Sequence, residues 1–135
     1  MTLVFDSYAW IEFFLGSEKG AKVKELIEGD EDIITPTIVL AEIANKYYRE
    51  GEEEKIVIER ISIIRDASTV RYIDDAILRK LQEAREVLIE NKKRLKLRRD
   101  PSLADYIVYA ISIAEKARIV TGDDHFKGLN VIFLE

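Results

Sequence analysis

Four carboxylates in this sequence stand where an acid is costly or poorly suited: Asp6, Glu42, Asp105 and Asp123. Asp6 lies between "TLVF" and "SYAW", at the carboxyl end of a predicted first strand, where capping of the next helix explains an aspartate as well as chemistry does. Glu42 is the only charge from Ile33 through Asn45, in mid-helix among Val39, Leu40, Ile43 and Ala44. An exposed flank is its plain explanation. Asp105 is the only charge from Pro101 through Ala114, one turn inside a nearly apolar helix, where aspartate competes for backbone hydrogen bonds. Complementing the helix dipole is the alternative. Asp123 follows the strand "ARIV" in the hexapeptide "TGDDHF", with Thr121 and Gly122 before it and Asp124 and the only histidine, His125, after it. A simple turn would also suit those residues.

These places coincide in one kind of fold. Two of the acids sit at strand ends and two near the starts of helices, and in a parallel α/β sheet such positions share one edge, where ligands bind. Four carboxylates meeting there would repel one another and hold raised pKa values unless cations neutralised them. The chain has no cysteine and one histidine, so the donors are oxygens, which suit a hard ion such as Mg²⁺ or Mn²⁺.

The elements that must position them are legible as alternation. Strands are predicted at 2–5, 32–35, 69–73 and 117–120, with "NVIFLE" closing the chain in the same style. Helices are predicted at 7–16, capped by Asp6 or Ser7 and stopped by Gly16, and at 17–29, 37–50, 52–66, 74–95 and 102–117. Thr35–Pro36 and Asp100–Pro101 are read as cap-then-proline helix starts. Strands alternating with helices predict a parallel sheet flanked by helices. At 135 residues, with no linker or repeat, one domain over 1–135 is expected.

Hydrophobic residues make up 47% and charged residues 35%, which predicts a folded, soluble chain. No apolar stretch approaches a membrane span and "MTLVFD" has no basic leader region, so a cytoplasmic protein is expected. The formal charge of −5 argues against binding nucleic acid by bulk attraction. A local exception is "KKRLKLRR", residues 92–99, with Lys92, Lys93, Arg94, Lys96, Arg98 and Arg99. By itself it reads as a solvated helix end and loop.

The four acids in their order resemble the PIN domain family of small metal-dependent nucleases, which includes VapC-type toxins. "VFDSYAWIEFF" supplies Asp6, "PTIVLAEIANKY" supplies Glu42, "SLADYIVYAIS" supplies Asp105 and "IVTGDDHF" supplies Asp123, so the resemblance spans nearly the whole chain. It implies a three-layer α/β/α sandwich around a mostly parallel sheet of four to five strands. It also implies an endoribonuclease that hydrolyses RNA phosphodiester bonds, with these four as the catalytic acids. Asp6, Asp105 and Asp123 would hold one or two Mg²⁺ or Mn²⁺ ions, and Glu42 would bind or orient. Ser7 and Thr121 are supporting hydroxyls that could position water. An antitoxin partner and a homodimer are implied too, and the basic run would flank the metal site and hold the RNA backbone. Asp124 is read as a supporting or surface group, His125 as a surface or capping residue, and Phe126 as core.

Three rival readings stand beside this one. A stand-alone PIN nuclease in RNA maturation keeps the chemistry and drops the toxin role, and a catalytically silent PIN scaffold keeps only the fold. A receiver-like phosphorylation switch would use Asp74 and Asp75 after the third strand, but "FDSY" offers one acid where that switch needs two. Trp10, Phe13, Phe14 and Leu15 exceed what one helix face buries easily, so some are candidates for a partner surface.

Overall fold

The computed structural model describes residues 1–135. In chain order the elements are β1 Thr2–Phe5, α1 Ser7–Leu15, α2 Glu18–Glu28, β2 Asp32–Pro36, α3 Thr37–Arg49, α4 Glu54–Ala67, β3 Thr69–Arg71, α5 Asp75–Leu95, α6 Leu103–Ala114, β4 Arg118–Thr121, a 3₁₀ turn Asp124–Phe126, and β5 Val131–Phe133. All four strand pairings are parallel, in the order β3-β2-β1-β4-β5. Right-handed crossovers in that order put α1 to α4 on one face and α5 and α6 on the other, which is the expected α/β/α sandwich.

This order decides where a site can form. From β1 the chain first moves outward to β2 and β3, then returns to the other side of β1 to lay down β4 and β5. The crevice at the carboxyl ends of β1 and β4 is therefore the topological switch point, the usual ligand position in open α/β sheets. Asp6 leaves β1 there, and Thr121 ends β4 beside it. The order also removes the receiver-like reading, because that fold runs 2-1-3-4-5. Asp74 instead caps α5 through Ile77 N–H (3.1 Å) and pairs with Arg71 (3.0 Å).

The core is one cluster of 27 buried apolar residues. Leu3, Val4 and Phe5 of β1 are fully buried, as a central strand covered on both faces requires. Trp10 is fully buried against Phe5, with ring centroids 5.2 Å apart, and its indole N–H donates to Thr35 Oγ1 at 3.1 Å. That bond fixes α1 against β2. Phe126 is also in the core, whereas Phe13 and Phe14 are half-buried and Leu15 is exposed.

Two helix starts differ from the sequence reading. Thr35 stays in β2 and spends its hydroxyl on Trp10 and Ser68, so Pro36 becomes the N-cap of α3. For α6 the cap is Ser102, not Asp100 with Pro101. At α6 the side chain that can accept the first amides wins over the proline, whereas α3 starts at Pro36 with no side-chain cap.

α1 and α2 cross closely at Gly20, where an added Cβ would overlap the carbonyl oxygen of Glu12. Because the obstruction is backbone, neither helix can relieve it by a rotamer change. Gly20→Ala is expected to lower stability by about 1–3 kcal/mol. Urea unfolding monitored at the buried Trp10 measures it, and unaltered stability would refute the close crossing.

Candidate active site

Asp6 is built from both directions at once. As N-cap of α1 its Oδ1 accepts from Ala9 N–H at 3.0 Å, and its Oδ2 accepts from the Thr121 hydroxyl at the end of β4. Thr121 Oγ1 in turn accepts from Asp123 N–H at 2.9 Å. Thr121 is therefore committed to holding two acids, and the Ser7 hydroxyl is turned to Glu42.

Asp105 sits at the third position of α6 in a capping box. Its carboxylate accepts from Ser102 N–H at 2.8 Å, and Asp105 N–H donates to the Ser102 hydroxyl at 3.1 Å. The box locks the rotamer and leaves the second carboxylate oxygen toward the crevice. Glu42 projects from the middle of α3, which packs on α6. All four acids, with Ser7, Tyr8, Lys46 and Arg99, line one cavity of about 530 Å³. The sequence-selected acids thus meet, and Glu42 faces the cavity half-buried.

Electrostatics match that geometry. Burial pushes the Asp6 carboxyl up to about 7, with Asp123 and Asp105 adding to the rise and the Thr121 and Ala9 bonds opposing it. Burial also raises Glu42, helped by Asp105 and Asp123 and opposed by the Ser7 hydroxyl. Asp105 is raised by burial and Asp123, against its Ser102 bonds and His125. Tyr8 borders the acids on one side, and its ring lies so close to Gly122 that any Cβ there would collide with it.

His125 corrects the surface assignment. It is 3% exposed, its Nδ1 faces Asp123 Oδ1 at 2.9 Å, and its Nε2 faces the Arg99 carbonyl at 2.8 Å. A carbonyl only accepts, so Nε2 carries the proton that joins it to Arg99, while Nδ1 faces the Asp123 carboxyl. Burial opposes a charge on the ring, but the Arg99 and Asp123 contacts outweigh it and raise the imidazole pKa. Donor atoms of Asp105, Asp123 and His125 all lie within 4.8 Å of one another. The oxygens of Asp6, Asp105, Asp123 and Glu42 are the candidate donor set, with the His125 ring beside Asp123. Hard oxygen donors, buried and mutually repelling, fit Mg²⁺ or Mn²⁺.

Sequence reading also missed Asn91. It is 3% exposed, and its amide donates to the carbonyls of His125 (2.8 Å) and Lys127 (3.2 Å), while its oxygen accepts from Arg94 at 2.6 Å. Arg94 also donates to Lys127 O at 3.0 Å. Asn91 and Arg94 thereby bolt the Asp123–His125 turn to α5. The available signal was position: Asn91 continues the apolar stripe Ile77, Leu81, Ala84, Leu88, so an amide there had to find buried partners.

The basic run divides. Lys92 pairs with Asp100 and Arg94 with Asn91, whereas Arg99 lines the acid cavity and both Arg98 and Arg99 line the recess beside Tyr8, Asp123 and His125. Lys93 and Lys96 line a separate recess with Asp100 and Tyr106. Asp124 is exposed.

One consequence concerns pH in metal-free protein. Asp6 has a raised folded pKa, about 7 against 3.8, so the folded state holds a proton that the unfolded state has lost between those values. Stability from this group therefore falls as pH rises from about 4 to 7 and stays low above. Asp6→Asn, measured in EDTA by urea unfolding, should gain on wild type across that window, up to on the order of 4 kcal/mol at pH 8. An equal difference at pH 5 and pH 8 would refute it.

Comparison with known proteins agrees with this geometry. No curated protein sequence matches the chain. Among solved structures, VapBC2 from Rickettsia felis, bound to a DNA fragment from its promoter, superposes with TM-score 0.72 at 18% identity, covering 98% of this chain and 97% of that one. VapBC-1 from nontypeable Haemophilus influenzae gives 0.68 at 14% identity, over 97% and 96%. The Mycobacterium tuberculosis toxin VapC20, which cleaves the sarcin-ricin loop, gives 0.63 at 15% identity, over 98% and 99%. At such identities the likeness is one of fold. The sequence itself matches the PIN domain across residues 3–131, and this chain belongs to the PIN domain family.

Proposed function

We propose that this protein is a divalent-metal-dependent endoribonuclease and the toxin of a toxin-antitoxin pair. The observation that carries the reading is the convergence of Asp6, Glu42, Asp105 and Asp123 on one cavity at the switch point of a parallel sheet. Structurally similar VapBC complexes support the toxin role, and the fold and family support nuclease chemistry.

Each residue's part follows from how it is held. Asp6, Asp105 and Asp123 would bind Mg²⁺ or Mn²⁺, with Glu42 as a further ligand or an orienting group. When bound, such an ion supplies Lewis acidity for activating water and for charge on the scissile phosphate. Thr121, the Ser102 capping box and His125 fix the three aspartates, so little reorganisation is needed at reaction. Ser7, whose hydroxyl meets the Glu42 carboxyl, would help orient that acid or a water beside it. Arg98 and Arg99 stand at the rim and would hold phosphates of the RNA strand. Ile11, Phe14, Leu15 and Tyr47, rimmed by the charged Lys46, Glu50, Glu52 and Arg60, line a recess between α1, α3 and α4, a mixed surface suited to an amphipathic helix of an antitoxin. A homodimer completes the proposed assembly.

Purified protein incubated with a mixed, structured RNA pool should cut it with Mg²⁺ or Mn²⁺ and not with EDTA. Asp6→Asn and Asp123→Asn should each lose at least about 100-fold in rate although the first is the more stable protein. Full activity in either variant would exclude the carboxylate mechanism.

Replacing Arg98 and Arg99 with alanine should weaken RNA binding and flatten the salt dependence by roughly one unit of slope, since each single-strand phosphate contact contributes about 0.7. Metal binding by calorimetry should persist. Unaltered RNA affinity would remove these arginines from the interface.

A further inference from the structure

We propose that the α5–α6 face carries a second, non-catalytic phosphate groove that holds the RNA strand beyond the cleaved bond. The inference rests on the ribonuclease reading and adds to it where a longer substrate runs. Its centre is a recess of about 600 Å³ lined by Arg85, Lys92, Lys93 and Lys96, with Tyr106 on its wall and Asp100 as the one acid.

Four cations against one acid is an unusual concentration in a chain of net charge −5. Their spacing makes them a stripe: positions 85, 92, 93 and 96 fall on one side of α5, and the span from first to last is about 16 Å by helical rise. That length covers several phosphates of a strand. Lys92 is drawn to Asp100, while Arg85, Lys93 and Lys96 are exposed. The groove adjoins the acid cavity, because Asp100 lines both. A strand leaving the acids past Arg99 meets this stripe next.

Two further features favour nucleic acid over an acidic protein segment. The Arg85 guanidinium lies over the Tyr106 ring, 5.5 Å from its centroid, which pairs a cation with an aromatic face on which a base can stack. Lys96 ends α5 in the left-handed conformation, φ 56°, a position that glycine fills with less strain. Lys96 adds a cation to the groove at that position, as Lys116, the other left-handed lysine at φ 52°, does not.

The test follows binding by fluorescence anisotropy in an Asp6→Asn background, so that RNA is not consumed. The probes are an RNA tetranucleotide and a single strand several times longer, each titrated at several salt concentrations. Affinity should rise with strand length, and Arg85→Ala/Lys93→Ala/Lys96→Gly should abolish most of that rise, about tenfold or more, and lower the salt slope for the long strand by about two. Lys96→Gly alone should weaken long-strand binding while its Tm is no lower than that of its parent, which excludes misfolding as the cause. A length-dependent gain that survives the triple substitution overturns the proposal, as does tight binding of a polyglutamate peptide that the triple variant loses while RNA affinity persists. Cleavage by wild-type protein is followed separately with Mn²⁺: absence of cutting would count against the ribonuclease reading, whereas the anisotropy arm judges the groove.

Discussion

The Asp6 carboxylate is held at the end of the central strand with 6% exposure, and it repels Asp105 and Asp123 across the same crevice. Oxygens of Asp105 and Asp123 within 4.8 Å of each other repel by roughly 3 kcal/mol at an effective dielectric near 20. A helix N-terminus returns about 0.3–1 kcal/mol, and α1 and α6 each lend one. Those offsets are smaller than the repulsion. The remainder must come from protonation, from a charge on His125, or from an added ion. Burial first and the neighbouring acids second raise the pKa values of Asp6, Glu42 and Asp105, which favours the first, and the raised pKa of His125 beside Asp123 favours the second.

Relaxation is blocked by the scaffold. Asp6 cannot turn away without losing the cap of α1, nor Asp105 without opening the box that starts α6. Asp123 is held through His125 by Asn91, a residue of another helix. Each acid thus has a structural duty that keeps it in the crevice. Capping and site formation are one arrangement here, and the question of which explains these aspartates has the answer that both do.

This dual duty sets how much was legible in the sequence. Asp6 was readable because a strand end, a cap and an acid coincide in three consecutive positions. Alternating strands and helices gave the sheet and its edge, and family order brought Glu42, Asp105 and Asp123 to it. The cap of α6 was misread, because Asp100–Pro101 and Ser102–Asp105 offer competing starts two residues apart, and only the reciprocal bonds choose between them. His125 was invisible as a buried group, since its partners Arg99 and Asn91 lie 26 and 34 residues away and touch it through backbone atoms that no side-chain pattern records. The basic run read as one feature because it is contiguous. The run straddles the end of α5, so Lys93 and Arg94 diverge by helical rotation, Arg94 bonding inward, while the turn after α5 carries Arg98 and Arg99 to the recess beside Asp123 and His125.

The separation of charge follows from the same constraint. Lys46 and Arg99 are the cations that line the acid cavity, and Lys92, Lys93 and Lys96 lie near it but outside, so most of the positive charge of the run borders the acids without neutralising them. In the loop after α5, Arg99 turns its carbonyl to His125 and so fixes the backbone at the rim, which leaves the charges of the run spread around the crevice. His125 therefore links the two halves of the electrostatic pattern, with one nitrogen on an acid of the crevice and the other on the backbone of the cationic rim. An apolar residue of the same size would break both contacts together, and the acids and the cations would lose their common reference point.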